Sequence, residues 1–376
     1  MSANMSPYRG CLLGLAVGDA MGYPIDSKRW SEIQDTYGPN GLLGYDLANG
    51  YADVTSYTQL AVFLSNGLLT GTTRGQMQGT MRPYIHYMTQ ALMEWSRIQH
   101  TRREPDRPLC WVSRISQLRR RRCMDTRMLD TLSRGRLGTP EEPVNHFLTA
   151  GSLTSAVAVG LFFNPERMRV REIGRLGAEA VALTHGDPLA FLSGAVLAYT
   201  IAGILQDRRT PLPEHFCQAA DAVAGQFGRQ YPQASDLRNL IHRTVTAAEH
   251  PLLPARDAME HMNCDDTHLV LAGAMYAVLV SGGDFDTAMI TAVNHSGRSA
   301  AVGAVAGAIL GAWLGEETLP DFYLECLETA DTLRTLADDV LHGCPMERGS
   351  RLFDDDWDQK YIQARPVDAH GWAMEE

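Results

Sequence analysis

Apolar side chains recur at helical spacing along most of the chain. Residues three and four positions apart lie on one face of a helix, so this period indicates helices with a buried face. The alternation of apolar and polar residues that is typical of strands is missing. The pattern therefore predicts an all-α fold, a compact multi-helix bundle, with helices over residues 8–20, 59–70, 79–98, 153–163, 169–183, 188–205, 213–227, 235–248, 268–280, 284–293, 300–314 and 319–340.

Small residues punctuate several of these segments, as in GCLLGLAVGDAMG, LSGAVLAYTIAG and AAVGAVAGAILGA. Glycine costs roughly 1 kcal/mol per helical position relative to alanine. Its repeated use indicates a packing demand, because a helix face without side chains lets another backbone approach closely. We expect these helices to form a tight bundle.

The 376 residues can bury one large core or two ordinary ones. Polar, bend-forming residues gather before predicted helices, for example at 53–58 and 294–299. The last stretch is acidic and rich in turn formers. We interpret the chain as one domain over residues 1–345 with an acidic C-terminal tail over 346–376.

The composition, 45% hydrophobic and 20% charged, is that of a globular protein. The longest apolar runs, such as 268–280, are shorter than the about 20 residues that cross a bilayer, so we expect no membrane span. Asp19 interrupts the N-terminal apolar run and no basic region precedes it, so we expect no secretory signal and a cytoplasmic protein. The seven cysteines form no C-x-x-C pair and are predicted to be reduced thiols.

The net charge of −11 argues against a nucleic-acid partner, because such binding depends on neutralising phosphates. Residues 97–127 depart from this balance with ten arginines. They are either a solvated helix face or loop, or a surface for an anionic partner.

Several loops and the helices that follow them resemble the ADP-ribosylglycohydrolase family. The matching stretches are RGCLLGLAVGDAMGYPID at 9–26, GLLTGTTRGQM at 67–77, DTLSRGRLGTPEEPVNH at 130–146, AGSLTSAVAVGLFF at 150–163, ALTHGDPLAFLSGAVLA at 182–198 and SGGDFDTAMITAVNHSGRSAAVGAVAGAILGAWLG at 281–315. The resemblance implies an all-α bundle of the ADP-ribosylglycohydrolase type. Members remove ADP-ribose from modified side chains or related acceptors with the help of two magnesium ions.

Both acidic motifs from which that family builds its metal site are altered here. Where the family has Thr-Asp-Asp-Thr this chain reads Thr55-Ser56-Tyr57-Thr58, and where it has Gly-Asp-x-Asp-Thr this chain reads Gly297-Arg298-Ser299-Ala300-Ala301. Magnesium needs hard oxygen ligands, and hydroxyl groups alone cannot neutralise two such ions. We therefore expect no metal cofactor.

Arg298 opens a predicted helix, where the helix dipole disfavours a cation. Our hypothesis is that its guanidinium replaces the lost metal charge and pairs with a surviving acid or a bound anion. The alternative is an arginine that points to solvent. Asp265 and Asp266 are candidate partners or ligand contacts, although an acidic pair before an apolar helix is also what helix capping favours.

The candidate catalytic groups are Asp19, Asp53, His185 and Asp265. Asp19 matches a position that the family retains, and otherwise is a buried group satisfied by backbone amides. Asp53 is a shifted metal ligand or a helix cap. His185 is a general base or a hydrogen-bonded fixture.

The candidate ligand-binding residues follow the two altered motifs and the middle loop. Gly151 and Ser152 lie where backbone amides at a helix start suit a diphosphate. Tyr57 is expected to fill vacated volume, and its bulk can close the ribose site. The full set is Thr55, Ser56, Tyr57, Thr58, Gly151, Ser152, Asp266, Gly297, Arg298 and Ser299.

The sequence thus predicts a protein that has lost the magnesium pair and hydrolysis, a pseudoenzyme that binds ADP-ribose, another anionic ligand or an ADP-ribosylated protein. One alternative is an active hydrolase of N-glycosidic bonds with a metal-independent or altered site. Another is an interaction protein whose cleft is filled by Tyr57 and Arg298.

Overall fold

The computed structural model describes residues 4–48, 50–101, 103, 105–163, 168–346, 348–349 and 353–366. Within these ranges the chain is helical and forms no strand, which confirms the all-α prediction. The α-helices are α1 (Ser6–Gly22), α2 (Trp30–Tyr37), α3 (Ser56–Gln78), α4 (Tyr84–Thr101), α5 (Thr126–Ser133), α6 (Ser155–Phe162), α7 (Val170–Ala182), α8 (Pro188–Gln206), α9 (Leu212–Phe227), α10 (Gln233–Glu249), α11 (Ala255–Met262), α12 (Thr267–Val280), α13 (Phe285–Val293), α14 (Ser299–Leu314), α15 (Asp321–Glu325), α16 (Ala330–His342) and α17 (Asp355–Tyr361). Short 3-10 helices cover Tyr23–Ile25, Trp111–Arg114, Gln117–Arg119, Ala150–Ser152 and Glu316–Thr318.

Helices α1 and α14 run antiparallel with their backbones in direct contact. The facing pairs, four residues apart along each helix, are Gly10 with Gly311, Gly14 with Gly307, Gly18 with Gly303 and Gly22 with Ser299. A Cβ added at Gly14 would lie 2.2 Å from the carbonyl oxygen of Gly307. The predicted role of the small residues is confirmed, and the crossing brings the end of α1 beside the start of α14.

Helix α8 is the central helix of the bundle and packs against α6, α7, α9, α10, α12 and α14. By length and composition it could cross a bilayer, but 78% of its apolar window is buried inside the protein. Helix α8 is therefore a longer apolar segment than the runs such as 268–280 from which the absence of a membrane span was predicted. The burial identifies α8 as a core helix.

The pattern missed α17 in the tail and three eight-residue helices, α2, α5 and α11. Each of these three buries only one or two residues, such as Ile33 in α2 and Met259 in α11. The predicted helix over 79–98 begins too early, because Gly79 has φ +73° and ends α3.

The predicted helix over 319–340 is broken into α15 and α16. At the break, the carbonyl oxygen of Cys326 accepts a hydrogen bond from the N–H of Ala52 at 2.9 Å. The carboxylate of Glu328 contacts Arg120 at 2.8 Å. These long-range contacts keep the backbone between α15 and α16 out of a continuous helix.

The described part of the C-terminal tail packs on the bundle through α17. The Nε1 of Trp357 donates to Thr73 of α3 at 2.9 Å, and Lys360 contacts both oxygens of Asp339 on α16 at 2.6 and 2.8 Å. The acidic residues lie in the first turn of α17, where the helix dipole favours them. The domain boundary at residue 345 stays a prediction.

Candidate functional site

Asp19, near the end of α1, is fully buried and holds the start of α3. Its carboxylate accepts the N–H groups of Thr55 at 2.8 Å and Thr58 at 3.0 Å, and both hydroxyl groups at 2.6 Å. Burial raises the pKa of Asp19 to about 6, against the effect of these hydrogen bonds. Oδ2 accepts three of these bonds, and Oδ1 accepts one, from the hydroxyl of Thr55. Asp19 thus matches the alternative given by the sequence, a buried polar group satisfied by backbone amides, here with two hydroxyl groups in addition.

The first turn of α3 is satisfied by protein groups. The N–H of Ser56 donates to the carbonyl of Arg122 at 2.9 Å, and the hydroxyl of Ser56 accepts from the N–H of Met124 at 3.0 Å. The N–H of Tyr57 donates to the hydroxyl of Thr55 at 3.2 Å. The structure places Thr55, Ser56 and Thr58 in the interior. Their ligand-binding roles stay predictions.

Tyr57 projects from this turn with its side chain 2% exposed. No described residue hydrogen-bonds its hydroxyl group. Burial raises the pKa of Tyr57 well above its ordinary value, and the charges of Asp26, Asp19 and Asp125 add to this effect while Arg298 opposes it. The phenol therefore remains a neutral donor among three acids and one guanidinium.

Arg298 contacts a surviving acid, Asp26, which the sequence analysis did not single out. Its Nη1 lies 3.5 Å from one oxygen of Asp26 and 3.1 Å from the hydroxyl of Ser27. The other oxygen of Asp26 accepts from the N–H of Ala300 in the first turn of α14 at 3.0 Å. Burial lowers the pKa of Arg298, but nearby charges, Asp26 foremost, outweigh this and raise it. Asp26 thus offsets the cation at the helix start.

The loop that carries Arg298 is fixed from two sides. The carbonyl of Gly297 accepts from the N–H of Ser27 at 2.7 Å, and the N–H of Arg298 donates to the carbonyl of Cys264 at 3.0 Å. Gly297 has φ +146°, a conformation that favours glycine. Ser299 is fully buried.

Asp53 does not cap α3, because Thr55 occupies that position, so the cap interpretation is wrong. Its role as a shifted metal ligand stays a prediction. Its oxygens accept from Arg120 at 3.0 Å and from Arg122 at 2.7 Å. Arg120 also lies over the ring of Tyr51, 4.2 Å from its centroid. This part of the arginine-rich segment therefore folds back on the protein. Arg102, in the same segment, lies outside the described residues.

His185 is fully buried and bonded at both ring nitrogens. Nδ1 lies 2.9 Å from the hydroxyl groups of Ser152 and Thr184, and Nε2 lies 3.2 Å from Thr149 and 3.4 Å from Asp125. Of the two interpretations of His185, this geometry favours a structural histidine held by hydrogen bonds over a general base.

Asp125 is a second acid that sequence reasoning missed. It caps α5 by accepting the N–H of Arg127 at 3.0 Å, and it accepts from the hydroxyl of Thr149. Burial raises the pKa of Asp125, but hydrogen bonds from His185 and Thr149 hold it well below its ordinary value. An aspartate before a helix is a capping signal in the sequence. Its contact with His185, 60 residues away, cannot be predicted from the neighbouring sequence.

Gly151 and Ser152 form a 3-10 turn that leads into α6, and both are buried. A Cβ at Gly151 would lie 2.6 Å from the Cβ of Asp125. Their N–H groups lie at the turn that opens α6, and a helix start is a position that suits an anion. Their ligand-binding roles stay predictions.

Asp265 and Asp266 do not take the expected structural roles. Asp266 occupies the position before α12, but its side chain makes no capping hydrogen bond. Asp265 is exposed, and the ion pair of Arg298 goes to Asp26 instead. The cap prediction is wrong because Thr267, the next residue, donates its hydroxyl to the carbonyls of Leu148 and Thr149 and fixes the turn.

The donor groups at this site do not fit a magnesium pair. Two adjacent ions need several free carboxylates. Asp19 already accepts four hydrogen bonds from α3, Asp26 contacts Arg298 and Ala300, and Asp53 is paired with two arginines. Among the residues described, no group of three or more His, Cys, Asp or Glu is placed to hold a metal ion.

Comparison with known proteins gives consistent matches over most of the chain. A family model described as ADP-ribosylglycohydrolase matches residues 2–349. An uncharacterized protein of Archaeoglobus fulgidus is 23% identical over 336 residues, which cover 88% of this chain and 94% of that protein. A solved structure titled ADP-ribosylglycohydrolase-related protein complex superposes with a TM-score of 0.60 at 21% identity, covering 91% of this chain and 99% of that one. It shares the fold.

Proposed function

Because the chain belongs to the ADP-ribosylglycohydrolase family, we propose that it keeps the ligand class of that family without the magnesium chemistry. It is a cytoplasmic pseudoenzyme that binds ADP-ribose or a related anion, free or attached to a protein. We assign ligand binding to Tyr57, Arg298, Gly151 and Ser152.

The reversal of charge at the two motifs carries this proposal. At the four family carboxylate positions the chain has Ser56, Tyr57, Arg298 and Ala300. Two unit charges of like sign 4 Å apart repel by about 4 kcal/mol at an effective dielectric near 20, so Arg298 opposes a cation here. Asp26, 3.5 Å away, offsets part of this charge, and the exposed part of the guanidinium is where an anion would bind.

Three donors support recognition of a diphosphate-bearing ligand. The side chain of Arg298 is 30% exposed. Tyr57 stays protonated because its pKa is raised well above the ordinary value by burial. The N–H groups of Gly151 and Ser152 lie at the turn that opens α6, where an anion is favoured.

The candidate catalytic groups do not favour the metal-independent hydrolase. A general base must reach a water within hydrogen-bond distance. Asp19, Asp53 and His185 are each bonded to protein groups, so Asp265 is the one exposed carboxylate among the four candidates. Hydrolysis is therefore an outcome of the test rather than a second proposal.

Calorimetric titration with ADP-ribose tests the proposal in magnesium and in EDTA. We expect the same Kd in both buffers, and no cleavage of ADP-ribosylarginine. Arg298→Gln should weaken binding by about tenfold or more, because it removes a charged hydrogen bond. Arg209→Gln is the matched control, since Arg209 is 95% exposed on the α8–α9 loop.

Two results would contradict the proposal. Cleavage that EDTA abolishes and Mg²⁺ restores would mean that the loops do hold metals. No heat of binding at millimolar ADP-ribose would favour a cleft that Tyr57 and Arg298 fill themselves.

A further inference from the structure

A cavity of about 600 Å³ lies between the second half of α10, the loop that follows it, α11 and α12. The side chains that matter below are Arg243, Ala247, Leu252, Leu253, Ala258 and Tyr276. The residues assigned above to the candidate site do not line it. Its volume is within the range of pockets that hold small ligands.

Much of the wall of this cavity is aliphatic. Ala247 lines it from α10, Ala258 from α11, and Leu252 and Leu253 from the loop between these two helices. Leu252 is 96% exposed and Leu253 is 44% exposed. Two neighbouring leucines beside a cavity leave apolar surface in water, and a ligand with a hydrocarbon body would cover it.

The hydroxyl group of Tyr276 supplies a second sign of a ligand. Tyr276 lies on α12, lines the cavity and is only 1% exposed. No hydrogen bond joins its hydroxyl to any residue that the structure describes. Buried tyrosine hydroxyl groups usually have a partner, because burial removes their contact with water. A polar atom of a bound ligand would be that partner.

The charge of the cavity favours a singly charged anion. Its described lining contains one arginine, Arg243, and no Asp or Glu. Arg243 is exposed and forms no ion pair within the described parts of the chain. His242 also lines the cavity, but its Nε2 lies 3.0 Å from Asp221. A carboxylate matches the single guanidinium, whereas a phosphate monoester carries about −1.5 to −2 charges and leaves part of them uncompensated.

We propose that this cavity binds a fatty acid, that is, a carboxylate on a hydrocarbon chain. The carboxylate accepts from the guanidinium of Arg243 and from the hydroxyl of Tyr276, and the chain covers Leu252 and Leu253. A sugar or a nucleotide fits less well, because it would bury more polar groups than these two donors satisfy.

Calorimetric titration of the full chain with octanoate, butanoate and octylammonium tests this site at constant ionic strength. Octanoate should bind at least about tenfold more tightly than butanoate, because each buried CH₂ adds up to about fourfold in affinity. Octylammonium, with the same chain length and the opposite charge, should not bind. The acidic protein as a whole attracts cations, so a preference for octanoate reports the local charge. Equal affinity for octanoate and butanoate, or tighter binding of octylammonium, would overturn the assignment.

Two variants test the donors separately. Arg243→Gln should weaken octanoate binding by about tenfold or more, and Tyr276→Phe by about fivefold, because a neutral hydrogen bond contributes less than a charged one. Neither side chain bonds to another described residue, so the fold is expected to be kept. Arg209→Gln is again the control for loss of a surface charge. Unchanged affinity for octanoate in either variant would overturn the proposal.

A second copy of the chain is the other occupant that the exposed leucines could have. Sedimentation of the wild type and of Leu252→Ser distinguishes the two. We expect both proteins to sediment alike at all concentrations. A self-association that Leu252→Ser abolishes would assign the cavity to an interface and overturn the proposal.

This inference does not rest on the proposed function. Arg298→Gln should leave the affinity for octanoate unchanged, while Arg243→Gln should leave the EDTA-insensitive binding of ADP-ribose intact. The failure of either proposal is therefore visible without the other.

Discussion

One carboxylate, that of Asp19, connects α1 to α3 at the centre of the candidate site. It serves two amides and two hydroxyl groups of Thr55 and Thr58. An asparagine at this position would point the N–H groups of its amide at the N–H and hydroxyl donors of Thr55 and Thr58. The position of Asp19 in the family pattern therefore has a structural reason that does not depend on metal.

We expect Asp19→Asn to reduce the free energy of unfolding by about 2–4 kcal/mol, because buried donors lose their acceptor. Urea unfolding at pH 7 measures the change. Asp35→Asn is the matched control, since Asp35 is exposed on α2. Equal stability of both variants would show that Asp19 does not anchor α3.

Asp19 also predicts a pH dependence. Its folded pKa of about 6 lies above the value of about 3.9 in an unfolded chain. The folded state then binds more protons between about pH 4 and 6, so this group's contribution to stability falls as pH rises through that window. The difference in unfolding free energy between the wild type and Asp19→Asn should shrink from pH 4 to pH 6.5. A difference that grows with pH would mean that the four hydrogen bonds outweigh burial.

At the scale of residues, the sequence predicted the buried alternatives for Asp19 and His185, and could not predict Asp26 or Asp125 as site residues. The partner of Asp26 at Ala300 is 274 residues away, and that of Asp125 at His185 is 60 residues away. Residue type and local spacing carry no information about such pairs.

At the scale of elements, the α1–α14 contact is the feature that the sequence predicted best. Glycine at every fourth position leaves one face without side chains, and that face could only be used for close backbone contact. The short helices α2, α5 and α11 were missed because an eight-residue helix with one or two buried residues has too few apolar positions to show a period.

Gly307→Ala should lower the free energy of unfolding by about 3 kcal/mol or more, since the new Cβ would lie 1.9 Å from the carbonyl oxygen of Gly14 and forces the backbones apart. Gly225→Ala in α9 is the matched control. A Cβ there meets nothing within 4 Å, so helix propensity should make it more stable by up to about 1 kcal/mol. Chemical denaturation compares the two. If both variants gain stability, the helices do not touch along the glycines.

At the scale of the whole molecule, α17 fastens the C-terminal segment across α3 and α16. Asp339 accepts from Lys360 and from the hydroxyl of Tyr361 at 2.6 Å, in a buried position. Burial raises the pKa of Asp339, while Lys360 opposes that rise. The sequence showed an acidic tail but not this docking, because the decisive partners, Thr73 and Asp339, lie on other helices.

Lys360→Met should lower the free energy of unfolding by about 3 kcal/mol, because it leaves a buried charge without its partner. The double variant Lys360→Met with Asp339→Leu should recover much of that loss, since no charge then remains unpaired. Thermal unfolding of the four proteins in this cycle gives the coupling. Additive losses would show that the two side chains do not interact.

The glycine contact also constrains how the protein is made. Gly22 and Ser299 touch, yet one is synthesised near the beginning of the chain and the other near its end. At about 5–20 residues per second, the first helix waits on the ribosome for tens of seconds before its neighbour exists. Contacts this distant in sequence slow folding. Asp26 therefore reaches Ala300 only after nearly the whole polypeptide has emerged, and a nascent chain has no candidate site.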